Sequence, residues 1–494
     1  MSIFTNVKKA KVPRSAFDMS HERKFSMNMG DLVPIFVQEV VPGDKWNITT
    51  EQMIRFAPLT APVMHRINSY IHYFYVPNRI IWKDWTKFIT GDLETEVPYF
   101  METLNYMAQG TIFDYMGVPT NGMSGEDHVN ALPFRAYMKI WNEYYRDENL
   151  QDEIEVDSLK IEDTYLMKRA WEKDYFTSCL PWAQKGGSVN LPITSEPNLE
   201  KPPELTLLDG TTGHLNVADT GEVTFTETNL GGTSIVNEID NISDTEGTID
   251  INDLTTATRL QRWLERNARA GTRYIEHLLA HWGVVSSDQR LQRPEYIGGG
   301  KTPITISEVL STYTTGADGT IPQGNMSGHG ISVGQSNRAN YYCEEHGFII
   351  GIMSVIPATA YMQSLPKMFS RKDNLDYYYP EFAQLGEQAV LNKEVHYNYL
   401  GTGNNDTFGY QSRFAEYKYA QSSVHGAFKS DTMDFWHMAR KFSSQPALNA
   451  QFIQSDPTTR IFAVRDQTEN LWVQLYHNVT AVRPLPFHNT PTIR

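Results

Sequence analysis

"RINSYIHYFYVPN", residues 66 to 78, reads as a strand whose two faces are both apolar: Ile67, Ile71, Tyr73 and Tyr75 alternate with Tyr70, His72, Phe74 and Val76. Side chains alternate across a strand, so a segment apolar on both sides is covered on both sides. "HGFIIGIMSVIP" at 346 to 357 is a second continuous apolar run of the same kind. Working outward, "DLVPIFVQEVVPGDKWNIT" at 31 to 49 is a strand, a Pro-Gly-Asp turn and a further strand. "LWVQLYHNVTAVRPLP" at 471 to 486 alternates Leu471, Val473 and Leu475 with Trp472, Gln474 and Tyr476. Widely spaced strands joined by long connections point to a β-sandwich or jelly roll.

Helices fall inside the connections. In "LPFRAYMKIWNEYYRDENL" at 132 to 150, Phe134, Met138, Trp141 and Tyr145 recur at helical spacing. Between Thr255 and Trp282 the pattern predicts one long helix, with Gly271 as the place for a kink. Leu260, Trp263, Leu264, Tyr274, Leu278 and Trp282 share one arc of it, and Arg259, Arg262, Arg266, Arg269 and Arg273 share another. The arginine stripe reads either as a solvated face beside Glu265 and Glu276, or as a surface meeting carboxylates of another subunit or nucleic-acid phosphate.

The chain of 494 residues holds 26 Tyr, 23 Phe and 10 Trp, enough for a large core and for aromatic contacts between subunits. Its two cysteines, Cys179 and Cys343, lie far apart, which argues against a disulfide framework or a cysteine zinc site. The start, "MSIFTNVKKAKVPRS", lacks the apolar run of a secretory signal. "FIIGIMSVIPATAYM" is shorter than the roughly 20 residues of a bilayer span and contains Pro357. Together these predict a non-secreted protein without membrane insertion.

The net charge of −15 is concentrated. Residues 194 to 253 hold thirteen acids and one base, Lys201, and Phe225 is their only aromatic. This predicts an acidic surface insertion that pairs with itself, the body or neighbouring copies, between body segments 26–193 and 254–494. Short runs in it, such as "GEVTFTETNL", hint at small strands. Residues 1 to 25 carry a net +4, with Lys8, Lys9, Lys11 and Arg14 foremost, and read as a basic arm, either disordered or tethered to nucleic acid.

Two features imitate catalytic equipment. His277 and His281 have the spacing of helical zinc ligands, but Leu278 stands where a zinc protease helix carries its glutamate. Gly300-Lys301-Thr302 ends like a phosphate loop, but Glu295 replaces the required first glycine and Pro303 follows instead of a helix. The glycines read better as a turn or as a place where backbones approach closely. No catalytic residue, metal ligand or cofactor is expected.

"VPRSAFDMSHERKFSMNMGDLVPIFVQEVVPGDKWNI", "FYVPNRIIWKDWTKFITG", "LPFRAYMKIWNEYYRDENLQD", "DYFTSCLPWAQKG" and "ERNARAGTRYIEHLLAHWGVVSSDQRLQRPEYIGGG" closely resemble, in order, segments of the major capsid protein of the Microviridae, gokushovirus type. The resemblance runs from about residue 12 to 485 and leaves 194 to 253 unmatched in sequence. It implies an all-β, eight-stranded antiparallel jelly roll (viral β-barrel) with long loop insertions, assembled in the bacterial host cytoplasm into a T=1 icosahedral virion shell around circular single-stranded DNA. It further implies an internal scaffolding protein, a minor pilot-type protein and a small basic DNA-packaging protein as partners. By position, the acidic insertion matches the family's threefold protrusion, which is thought to contact a host surface receptor. On this reading the Lys8, Lys9, Lys11 and Arg14 arm faces inward, and the arginine stripe lies at a subunit contact or towards DNA. The alternative is a jelly-roll surface or glycan-binding protein that forms no shell.

Overall fold

In a computed structural model the structure describes residues 12–91, 94–100, 107–120, 128–186, 204–206, 212–217, 223–227, 251–271, 273–310, 326–464 and 469–488. The chain divides into two compact units, one of residues 1–183 with 268–494 and the other of residues 184–267.

The first unit is an antiparallel jelly-roll body. Its strands are β1 (Ser15–Asp18), β2 (His21–Met27), β3 (Val33–Val40), β4 (Lys45–Phe56), β5 (Ile67–Pro77), β6 (Glu295–Leu310), β7 (Met326–Gln335), β8 (Ala339–Tyr342), β9 (Gly347–Pro357), β10 (Glu387–Leu391), β11 (Thr407–Ser412) and β12 (Leu471–Arg483). Eight of them form one curled path in the order β1, β12, β4, β7, β6, β5, β9, β3, with β8 beside β4 and β2 beside β12. The long strand β6 makes the sheet curl. Its first part pairs with β5, from Glu295 opposite Tyr75 to Ile304 opposite Ile67, and its second part pairs with β7, from Thr305 opposite Ile331 to Leu310 opposite Met326.

Alternation places the core. Along β12 every odd residue from Leu471 to Ala481 is buried and every even one exposed. Leu471, Val473, Leu475 and Val479 meet Trp46, Ile48, Ile54 and Phe56 from β4, with Ile35 and Phe36 from β3 and Ile349, Met353 and Val355 from β9. Strand β5 contributes Ile71, Tyr73 and Tyr75 to that core and Phe74 and Val76 to a second one. Phe348, Ile350 and Ile352 of β9 do the same. The second core is closed by the helix α1 (Leu132–Ile140), with its continuation through Trp141–Tyr145, so Phe134, Met138, Trp141 and Tyr145 are all buried. Two-sided cover is therefore why these two strands carry no polar face.

The Pro42-Gly43-Asp44 turn carries the chain from β3, paired with β9, to β4, paired with β12. Gly43 adopts φ +94°, which a side chain would resist. The Asp44 carboxylate accepts Val41 N–H at 3.1 Å, Trp46 Nε1–H at 3.3 Å and Arg483 Nε–H at 3.0 Å, pinning both strands to the end of β12.

Three expectations are corrected. Within residues 1 to 25, Ser15–Asp18 and the start of His21–Met27 are strand rather than arm: β1 and β2 run antiparallel along β12, with Ser15 opposite Arg483 and Met27 opposite Leu471. Arg23 is half-buried and donates to the Pro34 carbonyl at 3.3 Å and to the Tyr115 carbonyl, so it is held against the body rather than in a basic tail. Of the two readings of Gly298 to Gly300 the turn fails, since they lie within β6 opposite Tyr73, His72 and Ile71, and the close approach of backbones holds, with the Ile71 carbonyl against Gly299. The single helix over 255–282 is two helices, α2 (Ile251–Ala270) and α3 (Tyr274–Trp282), because Gly271 takes φ +86° and Arg273 is extended at φ −71°, ψ 144°.

The second unit holds a three-stranded antiparallel sheet of Glu204–Thr206, Thr212–Val217 and Val223–Glu227, with the middle segment central, and most of α2. The run "GEVTFTETNL" contains one of these strands.

Candidate functional site

The break at Gly271 splits the arginine stripe. Arg259, Arg262 and Arg266 on α2 are exposed and form no ion pair among the described residues. Arg269 pairs with Glu387 of β10, whose side chain is buried. Arg273 is an internal staple: its guanidinium pairs with Glu148 and donates to the Asn142 and Arg146 carbonyls at 3.1 and 2.9 Å. The carboxylates that satisfy Arg269 and Arg273 thus come from the same chain. Arg273→Ala is expected to lower stability by about 2 kcal/mol, the cost of leaving Glu148 half-buried without its charged donors. Arg262→Ala should stay within about 0.5 kcal/mol. Urea unfolding of the unassembled subunit measures both.

Of the basic arm, Lys8, Lys9 and Lys11 lie outside the described residues, and Arg14 is exposed beside Gly43. The His277 and His281 rings stand one turn apart on α3 with centroids 4.4 Å apart, and both touch the Trp282 ring. Around them Tyr274, Leu279 and Trp282 of α3 and Val284 and Val285 just after it are exposed, while Leu278 is half-buried, so much of the apolar arc read from the sequence stays open in α3. An apolar helix face left open is a contact surface rather than a core element. Burial pushes the Cys343 thiol up to about 12 and the Cys179 thiol up as well, which leaves both cysteines unreactive packing groups.

A larger open surface lies between residues 361 and 429, and the sequence reading passed over it. Met368, Phe369, Leu375, Tyr377, Tyr378 and Tyr379 are exposed there, as are Tyr417 and Tyr419. Of these, Met368, Phe369, Tyr417 and Tyr419 border a cleft of about 700 Å³ whose floor includes Tyr175, Phe176 and Tyr361. The floor is fixed by hydrogen bonds: Tyr361 Oη donates to Asp174 at 2.8 Å, and Glu394 accepts Leu391 N–H at 3.0 Å and Tyr175 Oη–H at 3.2 Å. Burial raises the Glu394 carboxyl above its ordinary range. At the rim Arg371 donates to Glu416 at 3.1 Å and stacks on the Tyr417 ring at 4.4 Å. The available signal was local: "PKMFSRKDNLDYYYP" and "RFAEYKYAQSSVHGAFK" interleave bases with aromatics. Both lie in long connections without periodicity, where a search by strand and helix pattern finds nothing.

This body has a curled antiparallel sheet covered on both faces at β5 and β9 and wide aromatic surfaces, and among the described residues it has no group of three metal-ligating side chains. The family model described as capsid protein (F protein) matches residues 5–493. The chain belongs to this capsid protein family. It is 34% identical to the capsid protein VP1 of Chlamydia phage 1, the alignment covering 99% of this chain and 97% of that protein. The capsid protein VP1 of Bdellovibrio phage phiMH2K is also 34% identical over the same shares, and that of Spiroplasma virus 4 is 30% identical. These relatives place the chain with the gokushovirus type of the Microviridae and its site of action in the virion capsid. Its role is structural and non-enzymatic, as a subunit of a capsid oligomer. Among the described residues no helix is long and apolar enough to cross a membrane.

Proposed function

We propose that copies of this capsid subunit close into a T=1 icosahedral shell around a circular single-stranded DNA phage genome. The observation that carries this reading is the near end-to-end match to phage capsid proteins, with the jelly-roll strands and their long connections all inside the matched span. The exposed aromatics of α3 supply the kind of surface that identical copies bury against one another. Arg259, Arg262 and Arg266 serve a subunit contact or face the DNA, since exposed guanidinium groups in a row repel one another until carboxylate or phosphate approaches. The arm with Lys8, Lys9, Lys11 and Arg14 faces the interior. Outside the acidic insertion the chain is close to neutral, which suits a particle whose DNA is mainly neutralised by a small basic packaging protein. An internal scaffolding protein and a minor pilot-type protein complete the assembly.

Residues 194 to 253 form the threefold protrusion and carry host attachment, their negative charge keeping particles apart in solution. Deleting residues 196–252 should leave closed particles that adsorb poorly to host cells. Loss of all soluble protein on deletion would make the insertion structural instead. For the reading as a whole, particles recovered from expressing cells should retain nuclease-protected single-stranded DNA of uniform length, and empty or open assemblies alone would count against it.

A further inference from the structure

We propose that the cleft between residues 361 and 429 binds a short stretch of single-stranded DNA, bases stacked on its aromatic walls and phosphates held at its basic rim. The inference rests on the genome-enclosing reading above and names where this chain would grip the strand.

Two segments build the rim, and their charge is one-sided. Residues 366–372 and 413–429 together carry six bases against one acid, Glu416, and Glu416 is already occupied by Arg371 at 3.1 Å and by the Gln388 amide at 2.7 Å. Lys367 and Lys429 both line the cleft, and Lys429 is exposed. Of the other carboxylates nearby, Asp376 and Glu394 act on Lys367 and Asp376 also on Arg371, so the exposed Lys429, in no ion pair among the described residues, is the rim cation left to a phosphate. Glu394 is buried on the floor and hydrogen-bonded there, Asp376 closes its own turn by accepting Lys372 N–H at 2.8 Å, and Asp373 lies on that same turn.

Between the bases stand aromatic rings that are exposed to solvent. Phe369 is 68% exposed at the end of a short helical turn, and Tyr417 is 52% exposed with the Arg371 guanidinium against its ring. A cleft of about 700 Å³ has the size of a site that takes one or two nucleotides. Exposed rings alternating with cations are what unspecific single-strand binding needs, because every base offers a face to stack and every link a phosphate to neutralise. An apolar segment of a second copy would fill the same walls but leave the exposed Lys429 without counter-charge, which is why nucleic acid is the favoured occupant.

The test uses the full-length chain and fluorescent oligothymidine of about ten nucleotides. Phe369→Ala should weaken binding roughly tenfold, and Phe369→Tyr, which keeps the ring, should bind like the parent. Lys429→Gln should flatten the salt dependence of binding by about one phosphate contact. Both side chains are exposed, so unfolding midpoints should not move. Parent-like binding by Phe369→Ala and Lys429→Gln, from a parent that does bind, would overturn the site while leaving genome enclosure intact. Unchanged DNA binding with lost particle formation would make this face a contact between copies and also overturn it. If the parent retains no oligonucleotide and purified particles contain no DNA, the genome-enclosing reading fails first and takes the site with it.

Discussion

Gly299→Val should leave the jelly-roll body unable to close, with the protein recovered mainly as insoluble material and any soluble fraction destabilised by more than about 3 kcal/mol. Gly299 sits in β6 opposite His72 of β5. A Cβ at this position would fall within contact distance of the Ile71 carbonyl oxygen, 2.8 Å from Tyr296 Oη and 3.1 Å from His72 Cδ2. The first of these is backbone of the neighbouring strand, which cannot rotate aside. The strands would have to part, and β6 is the strand that joins the two halves of the curled sheet. Its neighbours are equally confined, since a Cβ on Gly298 would lie 2.8 Å from Ala339 Cβ and one on Gly300 3.3 Å from Ser336 Cα. Yield of soluble subunit and its urea midpoint decide the matter, and parent-like values for Gly299→Ala and Gly299→Val would show that the seam gives way easily.

Replacing His477 should remove a large part of the subunit's sensitivity to acid. His477 is fully buried on β12, where Nδ1 accepts from Thr50 Oγ1 at 2.7 Å and Nε2 donates to the Ile35 carbonyl at 3.1 Å. Burial, with His21 and Arg23 nearby, depresses it from 6.5 to about 3. Between those two values the unfolded chain binds a proton that the folded core refuses, so stability falls as pH falls from 6.5 towards 3. The cost is about 1.4 kcal/mol per pH unit, or about 2 to 3 kcal/mol between pH 6.5 and 4.5. His72, depressed to about 4 by burial, adds in the same direction. Asp31, raised to about 6 by burial, opposes them, because below 6 its folded form holds a proton that the unfolded chain releases until about 3.8. His477→Gln leaves His72 and Asp31 untouched, so the difference between the two stability curves isolates one histidine. Curves of unassembled subunits that run parallel across this range would contradict the assignment.

The elements legible in the sequence were those whose side chains obey a simple period. Strands β3, β4, β5, β9 and β12 show either alternation or two apolar faces, and α1 shows a clear helical stripe. Strand β6 hid behind its glycines, which are there because Ile71, Ala339 and Ser336 pass so close. Strands β1 and β2 hid behind their charges, since Glu22, Arg23 and Lys24 look like a tail until β12 offers them a ladder. Helical phase carries across Gly271 on paper, but a left-handed glycine resets it, and Arg273 turns inward to Glu148. The open aromatic surface of residues 361–429 escaped for a different reason. Its rings are brought together by long connections around Tyr361 and Glu394, and nothing local marks them as neighbours. What placed the chain among capsid proteins was the succession of long characteristic segments, which no single site residue could have replaced.

The most direct measurement is cryo-electron microscopy of particles formed by the full-length chain. Closed shells of one size with T=1 symmetry are expected, their subunits joined through the exposed apolar face of α3 and their 194–253 insertions outside. Subunits that stay monomeric under every assembly condition, or that form open sheets without closure, would contradict the account.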